Sequence, residues 1–249
     1  MSEYRQSTAP FWLDIRQPEL FPEVSLALQE PDGLLAIGGD LSEKRILAAY
    51  RQGIFPWYSD DQPILWWSPD PRMVLYPDNL HISKSLQKKI RKRNYSITFD
   101  QAFDQVINEC AAPRAYTEDT WITDEMKQAY IRLHKNGHAH SVECWQNEEL
   151  IGGLYGVAIG KVFFGESMFA KRTDASKVAF VYLTCQLQRW GYQLIDCQVY
   201  SEHLSSLGAG NISRNEFIKQ IQQMCKHGVN HKWQCNITSS DILSGSMHE

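Results

Sequence analysis

Asp196 and Gln198 stand two positions apart in Leu194-Ile195-Asp196-Cys197-Gln198-Val199-Tyr200, a segment whose apolar and β-branched residues otherwise read as a buried strand. Side chains alternate along a strand, so the acid and the amide are expected on one face and Cys197 on the other. Polar groups enter such a strand with a partner or a task. The task would be acid–base or orienting chemistry; the competing reading is a hydrogen-bonded pair that only holds neighbouring loops. A thiol turned into the core is inert, which sets aside Cys197 as a nucleophile for His203.

A second segment, Val162-Phe163-Phe164-Gly165-Glu166-Ser167-Met168-Phe169, repeats the pattern. Alternation puts Val162, Phe164, Glu166 and Met168 on one face, so one carboxylate sits among large apolar groups. An apolar pocket with a single acid suits a ligand that has a hydrophobic body and a cationic amine. The alternative is a glutamate ion-paired with a neighbouring Arg or Lys. Trp57 follows a proline in a predicted loop, and Trp121 precedes a predicted helix. Exposed rings of this kind stack on nucleobases for about 1–3 kcal/mol each, although most tryptophans are simply core.

Other signals carry less. Cys225, His227, His231 and Cys235 are four zinc-ligand types in a spacing that matches no common finger. His138 and His140 read as an ordinary strand entry. Gly38-Gly39-Asp40 precedes a helix but lacks both nucleotide-binding glycine patterns.

The elements that must position these groups follow from composition and period. At 249 residues, 43% hydrophobic and 22% charged, the chain reads as soluble and globular, of one large or two modest domains. No apolar run reads as a signal peptide or approaches a membrane span. Six scattered cysteines without a CxxC fit reduced thiols in the cytoplasm. The net charge of −4 is uneven: six cations and no acid fall between Asn79 and Phe99, so the rest carries −4 minus 6, or −10. A helix is predicted from near Ser83, with Ile82, Leu86 and Ile90 on one face and Lys84, Lys88 and Arg91 on the opposite one. An acidic protein that keeps one basic stripe points it at an anionic partner.

Further helices are predicted from Asp40, as the cap, to Gly53, from Asp100 to Cys110, and from Thr123 to Asn136. Strands follow at Ala139–Trp145, Glu149–Ala158 and Lys161–Phe169, then a helix from Asp174 through Trp190, then the Asp196 strand. Strand, strand, helix, strand is the core order of the GCN5-type acyltransferase fold. The expected class is therefore α+β: a small N-terminal α+β domain over 1–70, ending at the proline-rich Ser68-Pro69-Asp70-Pro71-Arg72, and a GCN5-like domain with a mixed sheet over 71–249. The junction Ala170-Lys171-Arg172-Thr173-Asp174 has no glycine, whereas coenzyme A enzymes of this fold hold pyrophosphate on a glycine-rich loop there. A CoA-dependent N-acetyltransferase is disfavoured on that ground. A non-catalytic RNA-binding protein would explain the stripe and the tryptophans, but not Asp196 with Gln198.

Taken together, Pro31-Asp32-Gly33-Leu34-Leu35-Ala36-Ile37-Gly38-Gly39-Asp40-Leu41, Gly53-Ile54-Phe55-Pro56-Trp57, Leu65-Trp66-Trp67-Ser68-Pro69-Asp70-Pro71-Arg72, Gly165-Glu166-Ser167-Met168-Phe169, Ala175-Ser176-Lys177, Asp196-Cys197-Gln198 and His203-Leu204-x-Ser206-Leu207-Gly208-Ala209 resemble the leucyl/phenylalanyl-tRNA–protein transferase family. The resemblance runs in family order from about Phe21 to Phe217. It implies transfer of Leu or Phe, sometimes Met, from aminoacyl-tRNA to the N-terminal Arg or Lys of a protein, marking that protein for degradation. It implies no ATP, metal or CoA, since the ester is already activated, and a monomer is the default. By motif, Asp196 and Gln198 match the proposed catalytic residues, and Trp57 and Trp121 those that stack on the 3′-terminal adenosine. Leu154, Glu166, Met168, Leu183 and Ile195 fall in or near the pocket for the transferred side chain; Leu154 stands where Met is common. The helix from Ser83 matches the family's tRNA-contacting helix in position, with Lys84, Lys88, Arg91 and Lys92 as its candidate contacts. Chemically, Gln198 cannot be a conventional base, so its amide oxygen would orient the attacking amine, with Asp196 supplying negative charge. A relay through the adenosine ribose hydroxyl fits equally well.

Overall fold

The computed structural model describes residues 9–92, 94–112, 122–229 and 231–244. The chain runs β1 (Phe11–Leu13), β2 (Leu34–Gly38), α1 (Glu43–Arg51), β3 (Phe55–Pro56), β4 (Leu65–Trp67), β5 (Arg72–Leu75), α2 (Lys84–Arg91), β6 (Ser96–Phe99), α3 (Phe103–Ala111) and α4 (Asp124–Lys135). It continues through β7 (Ala139–Gln146), β8 (Glu149–Ile159), β9 (Val162–Ala170), α5 (Ala175–Arg189), β10 (Leu194–Gln198), α6 (Glu202–Ser205), β11 (Gly210–Ile212), α7 (Arg214–Met224) and α8 (Ser239–Ser244). The class is α+β with mixed sheets. A four-stranded sheet has the order β1-β2-β4-β3, and a seven-stranded sheet the order β11-β5-β10-β9-β8-β7-β6.

The larger sheet is antiparallel from β6 to β9, turns parallel between β9 and β10, and is antiparallel again between β10 and β5. The parallel step needs a crossover, and α5 supplies it. Residues Ala175, Ala179, Leu183 and Leu187 of α5 are all buried, as are residues on its flanks, so this helix is core on most sides rather than amphipathic. Tyr50 of α1, Tyr130 of α4 and Phe164 of β9 belong to one apolar cluster, which joins the smaller sheet to one face of the larger. Leu154, Leu183, Ile195 and Cys197 belong to the cluster beneath α5.

Helix starts follow their caps. Ser83 accepts from the Leu86 N–H and Thr123 from the Met126 N–H, as their side-chain oxygens should at helix entries. At α1 the cap is Ser42 and not Asp40; Asp40 instead accepts from the Ser42 N–H at 2.7 Å. The helix expected from Asp100 begins at Phe103, because Asp100 adopts φ 57° and spends its carboxylate on the Ser141 N–H and on His140. Segment 68–72, expected to be a boundary, delivers Arg72 as the first residue of β5, fully buried. The strand expected to reach Tyr200 stops at Gln198.

Candidate active site

Two strand irregularities build the site. Opposite β8, Gly165 pairs with Gly156 and Ser167 with Tyr155, so Glu166 is the extra residue of a bulge. Opposite β5, Asp196 pairs with Val74 and Gln198 with Met73, so Cys197 is the extra residue of a second bulge. The parallel β9–β10 pairing runs from Leu194↔Val162 to Asp196↔Phe164 and ends there. The two strands part beside both bulges, and a cavity of about 790 Å³ opens between them. That volume lies within the range of small-molecule sites.

The bulge in β9 corrects one expectation. Val162 and Phe164 do lie on one face, and Glu166 reaches Tyr130 on that side, but Met168 packs against the cluster beneath α5. An inserted residue shifts the alternation by one position, so the four side chains do not share a face. The consequence is a cavity lined from both sides of the sheet. Leu154, Met168, Leu183 and Ile195 form apolar wall on the α5 side, and Glu166 comes from the other.

Trp57, Asp196 and Gln198 line the same cavity, so sequence-expected site residues from four elements and the loop after β3 converge. Trp57 is 42% exposed at its edge, close to Trp67, whose indole N–H donates to the Trp57 carbonyl at 2.6 Å. Trp121 lies outside the described residues. Cys197 also borders the cavity, but its thiol is buried in the α5-side cluster and burial raises its pKa strongly.

Asp196 is fully buried and fully engaged. Arg72 donates from Nε to Oδ1 at 2.8 Å and from Nη2 to Oδ2 at 2.6 Å, and the Gln198 N–H donates to Oδ1 at 2.9 Å. Arg72 itself is held by the Gly53 carbonyl and lies over the rings of Phe55 and Phe217. The Asp196 charge is therefore neutralised within the core, and the role foreseen for it, a negative charge presented to the substrate, does not match this geometry. What it does is hold Gln198, a non-glycine residue at φ 63°. Such a conformation persists when its surroundings impose it. Arg72 carried no functional signal in the sequence beyond its place in the proline-rich segment.

Glu166 is the lining carboxylate without an ion-pair partner among the described residues, which removes the salt-bridge alternative. The Tyr130 hydroxyl donates to its Oε2 at 2.8 Å, and the Gln198 Nε2 donates to its Oε1 at 2.9 Å. Tyr50 contacts Tyr130, hydroxyl to hydroxyl, at 2.5 Å, and burial keeps both phenols protonated. Burial raises the Glu166 pKa to about 7, the tyrosine hydrogen bonds opposing and the Asp196 charge adding to that shift. Since the Gln198 amide nitrogen is spent on Glu166, its amide oxygen remains to accept. The bare sequence gave no pairing signal for Tyr50 or Tyr130.

At the cavity mouth Lys171 pairs with Glu109 at 2.5 Å. On α2, Lys84, Lys88, Arg91 and Lys92 are exposed and make no ion pair among the described residues, whereas Lys89 turns aside to Asp174. Cys225, His227, His231 and Cys235 do not converge: His231 stacks on Trp190 and Cys235 donates to the Ile237 carbonyl. His140 is held by Asp100 and stacked on Trp233.

Residues 74–222 match the sequence profile of the leucyl/phenylalanyl-tRNA protein transferase, and residues 39–70 that of its N-terminal domain. The chain is 58% identical over 201 residues to the leucyl/phenylalanyl-tRNA–protein transferase of Cellvibrio japonicus, covering 81% of this chain and 86% of that one. It is 59% identical over 206 residues to the same-named protein of Pseudomonas fluorescens strain SBW25, covering 83% and 91%. Among solved structures, a GCN5-related N-acetyltransferase from Kribbella flavida overlaps 67% of this chain and 60% of its own at 10% identity and a TM-score of 0.35.

Proposed function

The chain belongs to the leucyl/phenylalanyl-tRNA–protein transferase family, and we propose that it moves Leu or Phe from aminoacyl-tRNA to the N-terminal Arg or Lys of acceptor proteins. It is an aminoacyltransferase. In this reading it works in the cytoplasm as a monomer, marks its acceptors for degradation, and is divided near residue 70 into a small N-terminal domain and the transferase domain. One observation carries the reading: an apolar cavity with one buried carboxylate that has no ion-pair partner among the described residues and fixes the amide beside it. The apolar wall of Leu154, Met168, Leu183 and Ile195 suits the side chain of Leu or Phe, and Trp57 at the rim suits the terminal adenine.

The reaction joins a neutral α-amine to an ester carbonyl. A free α-amine has a pKa of about 7.7–8.0, so deprotonation at neutral pH costs little. The cavity must then hold the amine in line. Gln198 does this in our reading: with Nε2 on Glu166, its amide oxygen accepts an N–H of the incoming amine. Attack forms the new C–N bond, the ester C–O bond breaks, and the surplus proton of the amine ends on the departing ribose oxygen. Asp196 acts through Gln198, fixing its backbone, and is a positioning residue. Asp196 and Glu109 are ion-paired and Gln198 does not titrate, which leaves Glu166, His203 and the neighbouring ribose hydroxyl as the proton carriers.

Labelled Phe-tRNA incubated without ATP with a protein bearing N-terminal Lys or Arg should label that protein. Absence of transfer with a competent acceptor would sink the reading. A donor with a 2′-deoxy terminal adenosine should slow the chemical step; an unchanged step discards the hydroxyl relay.

A further inference from the structure

The start of α5, beside the cavity at Ser176, carries backbone hydrogen-bond donors that none of the described residues uses. Asp174, the residue before the helix, sits at φ 69° and makes no side-chain cap. The Ala175 N–H bonds back to Arg172 and the Val178 N–H to Asp174, while among the described residues the N–H groups of Ser176 and Lys177 have no acceptor. A helix start left uncapped in this way carries free donors and a partial positive charge.

Two polar side chains line the cavity beside this helix start. Ser176 lines the cavity, is 5% exposed, and its hydroxyl has no partner among the described residues. His203 also lines the cavity, and its Nε2 is buried without a hydrogen bond. Buried polar atoms are normally paired, so the unpartnered His203 nitrogen, with the unbonded Ser176 hydroxyl lining the same cavity, calls for a partner. The Lys177 ammonium is close by, reaching Ser206 on the turn that carries His203. Gly152 makes the placement possible: a Cβ there would come within 2.6 Å of the Ala175 Cβ and 3.1 Å of the Ser176 nitrogen, so β8 lets the helix start lie directly on the sheet.

Donors, a cation and a helix start together suit an anion with several oxygens. We propose that the α5 N-terminus, with Ser176, Lys177 and His203, is a phosphate subsite for the phosphodiester on the 5′ side of the terminal adenosine of the donor tRNA. This inference rests on the transferase reading above, which sets a nucleotide in the adjoining cavity. It gives the enzyme a grip on the donor's end next to the basic helix α2, whose Lys89 reaches Asp174 at the same helix start, and it locates the ester relative to Gln198.

The test uses two stable donor analogues, 3′-phenylalanylamido-3′-deoxyadenosine and its 5′-monophosphate, titrated calorimetrically into the full chain. The phosphate should tighten binding about tenfold or more in the wild type. That ratio should fall towards one in Ser176→Ala, Lys177→Gln and His203→Ala, whatever each does to absolute affinity. A wild-type ratio near one, or ratios unmoved in all three variants, overturns the subsite. Transfer from Phe-tRNA measured on the same preparations separates the failures, since its loss in the wild type would strike the transferase reading itself.

Discussion

Arg72 and Asp196, 124 positions apart, meet in a bidentate ion pair with both side chains buried, at 2.8 and 2.6 Å. The same carboxylate holds the Gln198 N–H, so the pair links the first residue of β5 to the last of β10. Removing one partner of such a pair strands the other charge in the core. Arg72→Met or Asp196→Asn should therefore lower the free energy of unfolding by about 3–5 kcal/mol, read by urea denaturation. Whatever folded protein remains should show a reduced kcat with donor KM little changed, because Asp196 acts on the geometry of Gln198. A loss of stability with normal kcat would leave Asp196 a purely structural residue.

Gln198→Ala removes the amide oxygen that faces the amine and the donor to Glu166. Single-turnover transfer from Phe-tRNA should slow by about 100-fold or more, with donor affinity changed only a few-fold. Gln198→Glu should not rescue, since it sets a second carboxylate against Glu166.

Glu166 gives a pH signature whose sign is fixed. Its carboxyl is raised to about 7 in the folded protein from an ordinary value of 4.5. The buried protonated form is the favoured one, so its contribution is fully present below the unfolded value and is lost as pH rises through the folded one. Thermal stability of Glu166→Gln relative to wild type should improve between pH 5 and pH 8, by at most on the order of 3 kcal/mol. A difference that is flat with pH would show the group ionised throughout.

The exposed cations of α2 are expected to contact tRNA phosphates. Reversing Lys84, Lys88 and Arg91 together should weaken binding of whole aminoacyl-tRNA and reduce the slope of log K against log salt by about 2–3. Binding of an aminoacyl-adenosine, which carries no backbone phosphate, should be unchanged. Equal loss for both ligands would assign the effect to misfolding.

Trp57→Ala should raise the Kd for the donor analogue by the worth of one stacked base, about 1–3 kcal/mol. Trp57→Phe should recover most of it. Unaltered affinity in Trp57→Ala would remove the ring from the adenine site.

Period and capping made much of the scaffold legible from the chain alone. Ser83, Thr123 and the apolar face of α2 lie where the spacing put them, because caps and amphipathic faces are local properties. The strand–strand–helix–strand order was readable for the same reason, as was the coming together of Leu154, Glu166, Met168, Leu183 and Ile195 once the motifs were set in family order. Strict alternation failed at Met168, where an inserted residue moves the side chain to the other face.

The sequence by itself determined the residue types of the site, the basic helix and the family. Only the tertiary structure decided what Asp196 and Glu166 are. One acid meets an arginine brought from 124 positions away, and the other meets Tyr130, 36 positions earlier in the chain, and no cation among the described residues. Two carboxylates that read alike along their strands thus become a neutralised strut and an unpaired buried acid. The physical reason is that a charge's role depends on its partners and its dielectric surroundings, and both are set by which distant segments the fold packs against it.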